Sequence, residues 1–277
     1  MAGRMGGMAP VDTYGMDVPV NPTAQLIATV VTATIAVGMV TATLVLCRRE
    51  RIWWPLIVLV SGTMTCFLEP LYDHLYGLWF NVEGQWNAFV TYGIHIPVWL
   101  PMIYIAYYGS CTIIFWYRMH KGATMRQVML HFAISAALAG MAEQFYITAT
   151  GLYNYQDHQP FYFLHYPWFV AIVNGVPPML SGIILHRLVP ILTGWSRWIL
   201  LFVVPFSFAA NSFGSGWLYL AYRHSTPDPS MTVVSLLAIL TTVLSITVIW
   251  TAARLAGVDA DLSARAVRPA RPVPVAG

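Results

Sequence analysis

Seven stretches of the chain are almost continuously apolar, at about 24–46, 53–73, 91–116, 127–149, 163–186, 198–221 and 231–253. Each comes close to, or exceeds, the roughly 20 residues that a helix needs to cross a bilayer. The runs are continuous, not alternating, so they predict helices and not the strands of a membrane barrel. The third is long enough to cross at a tilt. The expected fold is all-α: a seven-helix transmembrane domain over 24–254. A flexible tail over 1–23 precedes it, and an Ala-, Arg- and Pro-rich tail over 255–277 follows, expected to be disordered.

Composition agrees with this pattern. Only 9% of residues are charged, against roughly a quarter in soluble domains, and the mean hydropathy is +0.63. The basic residues orient the bundle. Arg48, Arg49 and Arg51 follow the first run; Arg118, Lys121 and Arg126 follow the third; Arg187 and Arg197 follow the fifth; Arg254, Arg265, Arg268 and Arg271 follow the seventh. All lie on one side, with Arg4 and Arg223 opposite. The positive-inside rule makes that side the cytoplasm. The N-terminus is then outside and the C-terminus inside, most simply across a bacterial cytoplasmic membrane. The net charge of +3 therefore marks topology and predicts no nucleic-acid partner. The first 20 residues lack a charged segment followed by an apolar core, so the first helix is expected to serve as its own insertion signal. No internal repeat suggests a transporter of inverted halves. Cys47, Cys66 and Cys111 have no metal or redox spacing and read as packing residues.

The candidate chemistry collects toward the predicted outer face. Glu69-Pro70-Leu71-Tyr72-Asp73-His74 closes the second run. Ionisable groups within a membrane are costly and mark functional sites by default. Glu69 and Asp73 are four residues apart, on one helix face. Two adjacent carboxyls cannot both ionise easily, so one is expected to keep a proton beside a base. Glu143, late in the fourth run, lies at similar depth and is the third candidate catalytic acid. The alternatives are a helix end in wet headgroups for the first two and a buried structural hydrogen bond for Glu143.

His74, His95, His158 and His165 fall on the same side. With Asp73 they keep a metal-dependent hydrolase open, yet no His-x-x-x-His or His-Glu-x-x-His pair is present, and neither a metal nor another cofactor is expected. Asn174 and Asn211 lie inside the fifth and sixth runs, where they either bond to neighbouring helices or orient substrate. Asn174-Gly175-Val176-Pro177-Pro178 is expected to break the fifth helix, and Asn211–Gly216 to open the sixth. Aromatic residues crowd the outer side, Trp79, Trp99 and Trp168 among them. A membrane-interface belt accounts for many, and the excess would suit a pocket for a large apolar substrate or a developing cation.

The stretch Gly93-Ile94-His95-Ile96-Pro97-Val98-Trp99, the pair Tyr166-Pro167-Trp168 followed by Asn174-Gly175-Val176-Pro177-Pro178, and the Glu69-Pro70 helix end together resemble the AveC-like spirocyclase family of actinobacterial multi-pass membrane proteins. The resemblance spans about 60–220. It implies cyclisation of a linear dihydroxy-ketone polyketide to a spiroketal. The acids also suggest a mechanistic similarity to the small integral membrane terpene cyclases, which protonate an epoxide or alkene and guide the resulting cation.

Other seven-helix classes fit less well. Lys121, the only lysine, sits in a predicted loop, so no lysine is placed to hold retinal. Only His131 lies clearly away from the interfaces, so facing haem ligands are lacking. The expectation is a membrane cyclase or isomerase acting on a lipophilic polyketide or isoprenoid. Glu69 is its general acid, Asp73 or Glu143 its base or tuning partner, and His74, His95, Trp79, Trp99, Trp168, Asn174 and Asn211 hold the substrate. A non-enzymatic binding or transport protein is the alternative. The sequence leaves substrate identity and oligomeric state open.

Overall fold

The computed structural model describes residues 18–156 and 159–258. Most of the two tails, together with Asp157 and His158, lies outside the described residues. The chain is mostly helical, and among the described residues seven helices are long and apolar enough to cross a membrane. They are α1 (Pro22–Glu50), α2 (Pro55–Tyr76), α3 (Trp99–His120), α4 (Met125–Ala149), α5 (Phe169–Leu188), α6 (Gly194–Ser215) and α7 (Met231–Leu255). A short helix, Trp217–Arg223, continues α6. Local signals set the ends. Asn21 caps α1 by accepting from the amides of Thr23 and Ala24, Thr124 and Gln127 form a capping box at α4, and Gly77 ends α2 in the left-handed conformation.

α5 is the hub. It packs against α3, α4, α6 and α7, and 78% of its most apolar stretch is buried, against 17% for α1. α1 is peripheral, held by α3 and α2. The tightest crossing joins α2 to α3 at Gly62. A Cβ placed there would lie 2.4 Å from the Gly109 backbone nitrogen, so two helix backbones meet with no side chain between them.

Two expectations change. First, α3 is shorter than its apolar run: residues before Val98 form strands. β2 (Asn87–Thr91) pairs antiparallel with β3 (Ile94–Pro97). The turn residues Tyr92 and Gly93 both have positive φ, as a two-residue type I′ hairpin requires. Two further pairs join β1 (Leu78–Phe80) to β4 (Tyr153–Tyr155), and β5 (Tyr162–Phe163) to β6 (Tyr166–Pro167). These three small sheets gather at one end of the bundle, so the fold is not purely α.

Second, α5 is not broken. Pro177 and Pro178 lie inside a continuous helix. Each removes a backbone donor that would have served the carbonyl four residues earlier, here Val173 and Asn174. Both carbonyls find side-chain donors instead. The Asn211 amide donates to the Val173 carbonyl at 2.9 Å, and the Tyr107 hydroxyl shares its single proton between the Ser135 carbonyl at 2.8 Å and the Asn174 carbonyl at 3.2 Å. Neighbouring helices thus complete the hydrogen bonding that proline interrupts. α6 does not open either: Ala210–Ser215 winds as a π-helix and runs on into Trp217–Arg223.

Candidate active site

At the sheet end of the bundle, a cavity of about 60 Å³ is lined by α2, α3, α4, α5 and strand β1. Glu69, on α2, and Glu143, on α4, both line it, with Asn174 of α5, Trp99 of α3 and the phenols of Tyr72, Tyr104, Tyr107, Tyr108, Tyr146 and Tyr153. Trp99 stacks on Tyr146, with ring centroids 4.1 Å apart. The cavity is therefore an aromatic box with carboxyls on two sides.

The two carboxyl groups keep different company. Glu69 is buried and accepts a hydrogen bond from the Tyr104 hydroxyl. One turn on, the Asp73 carboxyl is fully buried and lies in hydrogen-bonding range of Glu69. Neither Asp73 oxygen meets an N–H or O–H donor among the described residues. Two carboxylates cannot bond to each other unless a proton lies between them. With a proton shared, the contact becomes an ordinary acid–carboxylate hydrogen bond.

Glu143 is surrounded by donors. Tyr153 donates to one oxygen at 2.8 Å, while Tyr155 and Asn174 approach the other at 3.5 and 3.4 Å. The Asn174 amide oxygen in turn accepts from Tyr72 at 3.0 Å, so a line of polar contacts runs from Glu143 to α2. Tyr153 and Tyr155 come from β4, whose pairing with β1 also turns Leu78 and Phe80 inward. Burial foremost, and the Glu143 carboxyl beside them, push both of these phenols well above the ordinary range, so they serve as donors. The Tyr166 hydroxyl is buried without a hydrogen-bond partner among the described residues.

Of the residues expected to hold substrate, Trp99 and Asn174 line the cavity and the other five do not. Trp79 and His95 occupy the middle of strands whose flanking residues point inward, so the two-residue period turns them the other way. His95 lies 3.1 Å from the Asn87 side chain instead. His74 stacks on His224 at 6.0 Å, and Trp168 donates to the Phe163 carbonyl at 3.1 Å. Asn211 is committed at both ends: its amide serves the Val173 carbonyl and its oxygen accepts from Ser245 at 3.2 Å. His165 sits in the β5–β6 turn with φ of 61°. Among the described residues no three His, Cys, Asp or Glu side chains are grouped to hold a metal ion.

The sequence marks the outer-side aromatics as a belt whose excess would suit a pocket, but it does not single out these tyrosines as partners of the carboxyls. The usable signal was Tyr153-Asn154-Tyr155, an alternation that places two phenols on one strand face.

The Asn211 assignment gives a test. Asn211→Leu strips the donor from a buried carbonyl, an omission that costs about 1–3 kcal/mol. Thermal unfolding in detergent should shift down, while the folded fraction keeps its ligand or product profile. An unchanged unfolding midpoint would show that the α5 carbonyl does not depend on this amide.

No protein-family model, curated protein or solved structure matches the chain.

Proposed function

We propose that the chain is a membrane-embedded acid–base enzyme, a cyclase or isomerase that closes a ring in, or dehydrates, a lipophilic polyketide or isoprenoid. The observation that carries this reading is the convergence of Glu69 and Glu143 on one phenol-lined cavity, with the buried Asp73 carboxyl beside Glu69. Polar groups this expensive to bury are arranged in two unlike settings, as acid and base require. The Glu69–Asp73 pair, with its shared proton, is the donor. Glu143, faced by three donors that offset part of the cost of burying a charge, is the base. Asn174 orients a substrate oxygen, and Trp99 with the phenol rings forms the wall against which a cationic or oxocarbenium-like centre is stabilised.

In this reading the domain spans a bacterial cytoplasmic membrane, N-terminus outside. The sheet end, with the acids, faces outward, and the arginine-rich end faces the cytoplasm. The spirocyclase resemblance and the mechanistic similarity to membrane terpene cyclases belong to the same proposal.

The test is product profiling by mass spectrometry in a host that makes lipophilic polyketide and isoprenoid precursors. Expression should yield an isomeric or dehydrated product that disappears with Glu143→Gln. If correctly inserted protein gives no new product from any such precursor, the chain is a binding protein and the enzymatic reading fails.

A further inference from the structure

The cavity at Glu69 cannot take a whole polyketide or isoprenoid. Its volume of about 60 Å³ is room for roughly four waters, whereas small-molecule sites usually run to ~300–1,000 Å³. Directly beside it, between α1, α3 and α4, lies a groove of about 290 Å³. Ile103, Tyr107, Ala142 and Tyr146 line both spaces, so cavity and groove share one wall.

We propose that the groove seats the flexible hydrocarbon chain of a linear amphiphile, whose oxygenated end enters the cavity. The distribution of polarity supports this. Every carboxyl of the site lies on the cavity side, and no charged side chain lines the groove. The groove is also long. Its α1 wall runs from Val31 to Met39, about 12 Å of helix, which suits a chain better than a compact ring system. Its far side is the least buried helix of the bundle, so a chain can slip in from the flank without unpacking α5. Lipid tails are as apolar as the groove. The seat therefore adds little affinity, and its contribution is register: it fixes which carbon reaches Glu69.

The shared wall has an unusual backbone. Tyr107 lies in a π-helical segment, Ile105–Ser110, and Tyr146 in another, Phe145–Ala149. Such widened turns recur at functional sites. The Tyr146 hydroxyl is bonded to Thr32 of α1, so movement of α1 is linked directly to the wall. This inference rests on the proposed function only for what happens to the oxygenated end.

The experiment is photolabelling of the full chain in detergent. The probe is a long-chain primary alcohol with a mid-chain diazirine, and the control is the same chain without the hydroxyl. Adducts from the alcohol should concentrate on Met39, Leu138 and Met141 relative to Leu236 and Val243, exposed residues of α7. That excess should be lost in Ile35→Trp and Leu138→Trp, which fill the groove from its exposed side and leave the cavity lining untouched. Adducts spread evenly over α1, α4 and α7, or an excess indifferent to both tryptophans, would overturn the proposal. Should a tryptophan variant fail to insert, the map on the unsubstituted chain decides alone. The readout needs no turnover. Groove labelling retained in a chain that forms no product would sink the enzymatic reading and leave the seat, and the reverse pattern would sink the seat.

Discussion

Glu69→Gln is expected to abolish most product formation and to leave the chain folded. The amide oxygen still accepts from Tyr104, and the new amide N–H donates to Asp73, which has no other donor among the described residues. The buried contacts are thus kept, and the side chain loses only its ability to give up a proton. General acid–base assistance is worth about 10²–10⁴ in rate, and a loss of that size is expected in the product-forming host. Asp73→Asn should behave similarly, because the proton can no longer move between two carboxyls. Glu69→Ala is the contrasting variant: it removes the group and also leaves Tyr104 and Asp73 without their partner, so it should lower thermal stability as well. Full product yield from correctly inserted Glu69→Gln protein would remove this residue from the mechanism.

Gly62→Leu should be the most damaging single change to the fold. The space for even a Cβ is occupied by the Gly109 backbone at 2.4 and 2.5 Å, and backbone cannot swing aside as a side chain can. Overpacking a tight core usually costs ~1–3 kcal/mol, occasionally more, and helix-on-helix contact belongs at the upper end. The same two helices carry Glu69 and Tyr104, so forcing them apart also separates the acid from its phenol. Unfolding in detergent, followed by circular dichroism, should show a clear fall for Gly62→Leu and a smaller one for Gly62→Ala. Equal stability of all three chains would mean that α2 and α3 do not cross closely there.

The helical part of the fold was legible because helices long and apolar enough to cross a membrane leave a coarse signal: each apolar run found a helix. What failed was finer. The run from 91 included Ile94 and Ile96, apolar residues that read equally well as helix or strand. The deciding feature was Tyr92-Gly93, whose positive φ values turn the chain into a hairpin. Pro177-Pro178 looked like a break because the sequence cannot show that Asn211 and Tyr107 supply the missing donors from other helices. The same limit applies to the site. Glu69, Asp73 and Glu143 stood out as charges in apolar runs. Their phenolic partners did not, since Tyr104 on α3 and Tyr153 and Tyr155 on β4 come together only through the α2–α3 crossing and the β1–β4 ladder. Trp79 and His95 fall outside the cavity lining because strand periodicity turns them away from it.

The β1–β4 ladder also bears on how the protein is made. Leu78 faces Tyr155 and Phe80 faces Tyr153, so the ladder joins parts of the chain separated in synthesis by two entire helices, α3 and α4. Glu69 is inserted early, and Glu143 later with α4. Glu69 meets Tyr104 as soon as α3 has packed on α2, but until β4 has followed and closed on β1, Glu143 lacks Tyr153 and Tyr155. Closure of this loop-to-loop contact therefore gives Glu143 its phenol donors before α5, which supplies Asn174, has been made.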